Sequence, residues 1–185
     1  MGTQSESWLS KFVSGFNSYN EKPEPVLKQN PVEQAKAVAV ELCKRFEGLR
    51  LKPYICPAGY PTIGYGTVYK PDGTMVKLTD PAITAEQAEE WLLLTISRDY
   101  LPAVLNVSPS LIKYPNTLGA IVSFVYNLGI VRYKASTLKR KLNEGNFAEA
   151  KVEILKWDKA RVKGVMTKLK GLTIRRVAEA AYIGT

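Results

Sequence analysis

At 185 residues the chain has the length of one domain with a short appendage, enough to bury a real core. Apolar residues make up 45% and charged residues 23%, which argues against disorder; histidine is absent, which removes His-based triads and His metal sites. Two cysteines, Cys43 and Cys56, are too few for a disulfide scaffold and point to synthesis in a reducing compartment.

The net charge of +9 is unevenly placed. Residues 1–30 carry three Lys and three acids, and residues 31–131 carry nine of each sign. Residues 132–185 carry fourteen Lys/Arg against five acids, which is the whole excess. A basic C-terminal third implies an anionic partner such as nucleic acid, anionic lipid or a polyanionic wall; a solvated basic face is the plainer alternative. No segment approaches the roughly 20 apolar residues of a membrane span. The start, Met1-Gly2-Thr3-Gln4-Ser5-Glu6, lacks the basic and apolar regions of a signal peptide, so the expectation is a chain that does not export itself.

In chain order, Trp8, Leu9, Phe12, Val13 and Phe16 predict a short amphipathic helix over residues 7–19, a core-packing or membrane-contacting arm. Glu21-Lys22-Pro23-Glu24-Pro25 reads as a linker. Residues 31–46 place Val32, Ala35, Ala39, Leu42, Cys43 and Phe46 on one helical face, and Gly48 suits a left-handed C-terminal cap. Residues 54–76 are rich in β-formers broken by Cys56-Pro57-Ala58-Gly59, Gly64, Gly66 and Pro71-Asp72-Gly73, which predicts a small antiparallel sheet with two tight turns. Thr84 with Glu86-Gln87 resembles a helix N-cap. Helical patterning then runs to the end, with further helices near 98–106, 116–128, 134–143, 146–157 and 172–182. Several helices around one small sheet is an α+β arrangement of two lobes.

The stretch richest in chemistry runs from Arg45-Phe46-Glu47-Gly48 through Cys56-Pro57-Ala58-Gly59 to Thr62-Ile63-Gly64-Tyr65-Gly66. Glu47 falls where a helix ends and a sheet begins, beside apolar Phe46. The negative end of the helix dipole and partial burial both disfavour an ionised carboxyl, so Glu47 is expected to retain a proton, as an acid serving a leaving oxygen must. A solvated glutamate at a helix end is the plainer reading.

The spacing of Glu47, Cys56 nine positions on and Thr62 six further, in a Gly-rich hairpin, resembles the catalytic pattern of the phage lysozymes of glycoside hydrolase family 24. Ile83-Thr84-Ala85-Glu86-Gln87-Ala88, Ser123-Phe124-Val125-Tyr126-Asn127-Leu128-Gly129, Ser136-Thr137-Leu138, and Gly171-Leu172 with Arg175-Arg176 and Glu179 continue the likeness in order over about residues 31–183. The resemblance implies an α+β, lysozyme-like fold: a small antiparallel β-sheet lobe, a mainly helical lobe and a cleft between them. Residues 31–185 would be the catalytic domain, with 1–30 a separate amphipathic segment and linker.

By that resemblance Glu47 is the general acid, and Cys56 and Thr62 place the attacking water. Aspartate occupies the Cys56 position in many relatives, so the second catalytic group stays open: water placement with inversion, or thiolate attack with retention. Relatives also often carry a histidine after the Gly-x-Gly turn, where this chain has Thr67; the expected effect is on stability. Arg175 or Arg176 would orient Glu47, and the sequence does not choose between them. Asn127 is a candidate for binding substrate N-acetyl groups, or else a helix cap. Tyr65 is a candidate for sugar stacking, or else core. Cys43 is read as a buried filler, and a Cys43–Cys56 disulfide is not expected.

The implied activity is hydrolysis of the β-1,4 bond between N-acetylmuramic acid and N-acetylglucosamine in peptidoglycan by a monomer with no metal and no cofactor. Synthesis in the cytoplasm of a phage-infected bacterium, followed by action on the wall through a separate membrane lesion, completes that expectation. The rivals are a lytic transglycosylase, and a cationic membrane-active or polyanion-binding protein without catalysis. No aromatic interleaving of the basic residues marks a specific nucleic-acid partner.

Overall fold

The computed structural model describes residues 30–185. The helix and linker expected within residues 1–29 lie outside that range. Helix α1, Pro31–Glu47, starts where Asn30 accepts from the Val32 amide and where proline at the first position loses no helical hydrogen bond. Its apolar stripe, including Ala35, Ala39, Leu42 and Cys43, is buried as the 3.6-residue spacing requires. Gly48 ends the helix with a positive φ of 72°, as expected, but its ψ of 152° is not that of a left-handed cap. This glycine-only extended conformation sends the chain directly away from α1 instead of wrapping it back.

Strands β1, Arg50–Ile55, and β2, Pro61–Gly64, pair antiparallel with Tyr54 opposite Thr62 and an irregularity between Arg50 and Tyr54. Single bridges, Ile63 to Thr67 and Tyr69 to Met75, continue the lobe. The expected sheet is therefore present, with only its first hairpin regular. Asp72 closes the second turn by accepting from the Thr74 amide at 2.9 Å and the Thr74 hydroxyl at 2.7 Å.

Thr84 and Gln87 form the expected capping box of α2, Ala85–Thr95. The two helices expected over 84–106 are one rod: α2 passes through a π-helical turn, Ile96–Tyr100, into α3, Leu101–Val107. A short 3₁₀ turn, Pro109–Lys113, leads into α4, Pro115–Leu128, the central helix. Around it lie α5, Ile130–Lys134, α6, Thr137–Asn143, and α7, Phe147–Leu155.

A second hairpin, β3, Lys159–Val162, and β4, Val165–Lys168, interrupts what was expected to be helical to the end; α8, Lys170–Ala181, closes the chain. The α+β class holds, with two small antiparallel sheets instead of one.

Helices α1 and α4 are in intimate contact at Gly119, where an added Cβ would lie 2.5 Å from the Ala35 carbonyl oxygen and 2.7 Å from the Val38 Cβ. That crossing fixes the end of α1, and so the place of Glu47, relative to the core. The small lobe is tied to α4 by the Tyr126 hydroxyl, which donates to the Tyr65 carbonyl at 2.8 Å.

Candidate active site

Glu47 is the last residue of α1, and its side chain is 22% exposed. It lines a depression of about 390 Å³ together with Phe46, Asn127, Leu172 and Arg175. Arg175 Nη1 donates to Glu47 Oε1 at 2.5 Å, and the guanidinium also lies 5.6 Å from the centre of the Phe46 ring. The structure thus puts a cation against the carboxyl, where the sequence had anticipated an acid set apart by apolar surroundings.

Arg175 is itself held from several sides. Its Nε donates to Glu179 Oε1 at 3.0 Å, and its Nη2 donates to the Ser123 carbonyl at 3.1 Å and to the Ser123 hydroxyl at 3.3 Å. The Ser123 hydroxyl in turn donates to Glu179 Oε1 at 2.9 Å. Ser123, Arg175 and Glu179 are all buried, so each of these bonds replaces water that cannot reach the site.

Of the two arginines between which the sequence did not choose, Arg175 is the one in contact with Glu47. Arg176 does not reach Glu47 directly and is corrected to a neighbouring role. Being next in sequence, it is turned about 100° around the helix. Its Nη2 donates to Asn127 Oδ1 at 3.1 Å and to Glu179 Oε1 at 3.2 Å, and its guanidinium lies 4.9 Å from the Phe124 ring centre.

On the small lobe, Cys56 and Thr62 come together across the first hairpin turn. The Cys56 amide donates to the Tyr60 carbonyl at 3.0 Å, and the Thr62 hydroxyl donates to the same carbonyl at 2.9 Å. The Thr62 hydroxyl beside it lowers the Cys56 thiol below the usual cysteine range, helped by the Tyr60 backbone. Cys56 is partly exposed while Thr62 is buried, 2% exposed, so the reactive edge of this pair is the sulfur. Tyr54, opposite Thr62 in the hairpin, lies within electrostatic reach of both Cys56 and Glu47.

Beyond this turn a groove of about 740 Å³ runs between the lobes, lined by Tyr60, Thr67, Tyr69, Tyr100 and Tyr126 among others. Tyr126 lines this groove while its neighbour Asn127 lines the Glu47 depression, so the end of α4 joins the two.

Tyr65 is corrected from a stacking candidate to core: it is 7% exposed and packs in the main apolar cluster. Cys43 is the expected filler, and burial pushes its thiol up to about 12. Both cysteines are free. Sequence reasoning did not find Ser123 or Glu179 as parts of the site. The available signal was the i, i+4 spacing of Arg175 and Glu179, which puts both on one face of α8.

An acid at the end of a helix, held by a buried arginine in a cleft between a small sheet and a helical lobe, defines a lysozyme-type glycosidase. The Phage lysozyme family description matches residues 44–179, and the chain belongs to that family. It is 43% identical over 140 residues to an endolysin of Acyrthosiphon pisum secondary endosymbiont phage 1, covering 76% of this chain and 90% of that protein. Among solved structures it resembles an endolysin from Escherichia coli O157:H7 phage FAHEc1, with TM-score 0.67, 37% identity, and coverage of 78% and 89% of the two chains. It also resembles a P22 lysozyme mutant, with TM-score 0.63, 33% identity, and coverage of 80% and 95%. The chain is accordingly a muramidase of the endolysin kind, a peptidoglycan-degrading enzyme that lyses the host cell wall.

Proposed function

We propose that the chain acts as a glycoside hydrolase family 24 muramidase on the β-1,4 bond between N-acetylmuramic acid and N-acetylglucosamine, with Glu47 as general acid. The observation that carries this reading is the Glu47–Arg175 pair: Arg175 grips Oε1, which leaves Oε2 to present a proton to the glycosidic oxygen. As the bond breaks, a water held by Cys56 and Thr62 attacks the anomeric carbon, and the Cys56 thiolate accepts its proton. The leaving sugar has by then taken the proton of Glu47, so protons balance. Attack by water on the face opposite the leaving group gives inversion. Asn127, on the wall of the Glu47 depression, contacts the substrate N-acetyl groups.

In this reading the enzyme is a monomer made in the host cytoplasm that reaches the wall through a separate membrane lesion. Its basic C-terminal third rests on the anionic cell envelope. The test is muropeptide release from purified peptidoglycan by wild type, Glu47→Gln and Cys56→Ser, with reducing-end analysis. Wild type should release reducing N-acetylmuramic ends, and Glu47→Gln should lose at least about a thousandfold in rate, roughly 4 kcal/mol of barrier. Anhydro-muramic ends would instead assign a transglycosylase, and full lysis by Glu47→Gln would overturn the role of Glu47.

A further inference from the structure

Arg175 and Arg176 converge on Glu179, which is fully buried. Its Oε1 accepts from Arg175, Arg176 and Ser123, and its Oε2 lies 3.0 Å from Arg176 Nε, close enough for an ion pair though not aligned for a hydrogen bond. Arg176 is also fully buried, and its Nη1 has no partner among the described residues. An arginine so enclosed, with donors left over, is a costly element to retain in a core.

The cluster reaches the Glu47 depression through Arg175, which holds Glu47 itself, and through Arg176, which holds Asn127 on its wall. We propose that Glu179 and Arg176 are a buried pair of opposite charges that positions Glu47 through Arg175 and sets the pH at which the enzyme loses its acid. The inference rests on Glu47 being the general acid.

The charge count carries the argument. With Glu47 ionised, two arginines face two carboxylates and the cluster is neutral; with Glu47 protonated, it carries one positive charge. Two guanidiniums and a hydroxyl donate to Glu179 Oε1, the donor set of a carboxylate; burial still leaves this carboxyl raised on balance, with Arg176 and Arg175 opposing it.

Cys56, on the small lobe, is the same in every variant compared, so its charge is common to all the profiles; the remaining titratable groups around Glu47 do not add to this balance. Cys43 on α1, Tyr54 on β1, Tyr100 on the π turn and Tyr126 on α4 all have their titration raised by burial and stay neutral through the working range. Arg45 on α1, Arg50 on β1 and Lys170 at the start of α8 are exposed, where water and salt screen them. Glu179 and Arg176 are thus the charges that the fold, and not the solvent, places behind Arg175.

Their removal has opposite consequences. Without the negative charge of Glu179 the cluster becomes more positive and favours ionised Glu47. The proton is then lost at lower pH, and the limb of kcat/KM that follows Glu47 moves down. Without the positive charge of Arg176 the cluster becomes more negative, Glu47 keeps its proton longer, and the limb moves up. A purely structural role would lower activity in both variants and move neither limb.

The experiment is a pH profile of kcat/KM on purified peptidoglycan, with rates normalised to folded protein by circular dichroism, for wild type, Glu179→Gln, Glu179→Asp and Arg176→Gln. The expected result is a shift of about one pH unit downward for Glu179→Gln and a comparable shift upward for Arg176→Gln. Glu179→Asp, which keeps the charge, restores the wild-type limb. If Glu179→Gln does not fold, the upward shift of Arg176→Gln carries the test. Unmoved limbs in folded variants overturn the inference while Glu47→Gln remains inactive. Activity in Glu47→Gln would be a distinct result, overturning the assignment of the acid itself.

Discussion

The two halves of the site are built by opposite means. Glu47 is anchored from behind by buried charge: Arg175 is 3% exposed, and Ser123 and Glu179 are fully buried. Cys56 and Thr62 are held by a turn, in which a carbonyl at Tyr60 takes two donors and residues 57–60 are exposed. One half is fixed by side chains contributed from three helices distant in sequence; the other is fixed within the seven consecutive residues from Cys56 to Thr62. The acid must keep one orientation while its charge changes, which asks for a stiff low-dielectric support. The water-placing side needs only a short geometry that a tight turn supplies.

If that contrast is right, mutations behind Glu47 cost stability and mutations at the turn do not. The largest effect is expected from Arg175→Ala. It leaves Glu179 facing one arginine instead of two, takes a donor from the Ser123 carbonyl, and leaves Glu47 unheld. A loss of about 3–5 kcal/mol is expected, read as a lower midpoint in denaturant unfolding, with activity falling at permissive temperature as well. A loss below about 1 kcal/mol would show that the buried network is not the anchor.

Next is Gly119→Ala, which touches no catalytic group. The new methyl meets the Ala35 carbonyl and Val38 at distances that backbone cannot tolerate, so α1 must move away from α4. About 1–3 kcal/mol is expected from overpacking. Because α1 carries Glu47 at its end, kcat should fall at temperatures where the variant is still folded, which thermal melts and lysis assays on the same samples would separate.

The same division governs what the sequence revealed. Glu47, Cys56 and Thr62 were legible as candidates because a helix end, a turn and a fixed spacing resemble a family pattern that lies within sixteen residues of chain. Helix α1 and the Thr84 capping box were legible from periodicity and cap chemistry acting over a few residues. The choice between Arg175 and Arg176 was not, since it depends on how far α8 is rotated against α4. Nor was Ser123, whose serine reads as one small residue in an apolar helix until the arginine arrives beside it.

The β3–β4 hairpin escaped for another reason. Nearly all of its residues are exposed, so no alternation of apolar and polar side chains marks it. The remaining signal was Val162-Lys163-Gly164-Val165, where Lys163 and Gly164 both take positive φ between β-branched neighbours.

The turn half can be sharpened with a substitution that should leave stability within about 0.5 kcal/mol, because Cys56 is partly exposed and packs in no core. In the proposed mechanism the thiol must be deprotonated while Glu47 is protonated. Free cysteine titrates near 8.5 and free glutamic acid near 4.3, so the productive form is the reverse of the order in which the two groups ordinarily lose protons, and only a minority of molecules hold it. Thr62 lowers the Cys56 thiol and so narrows this gap. Cys56→Asp goes further: aspartate is ionised above about pH 4, so the base is ready wherever Glu47 still holds its proton. With protons lost in the ordinary order, the thiol sets the alkaline limb of the wild type and Glu47 sets the acid limb. The expected outcome is an active enzyme whose alkaline limb falls by several pH units while its acid limb moves little. Measuring kcat/KM from pH 4 to 9 on purified peptidoglycan reads both limbs at once. An alkaline limb that stays where the wild type has it would mean that Cys56 takes no proton, leaving the turn to position water by shape alone.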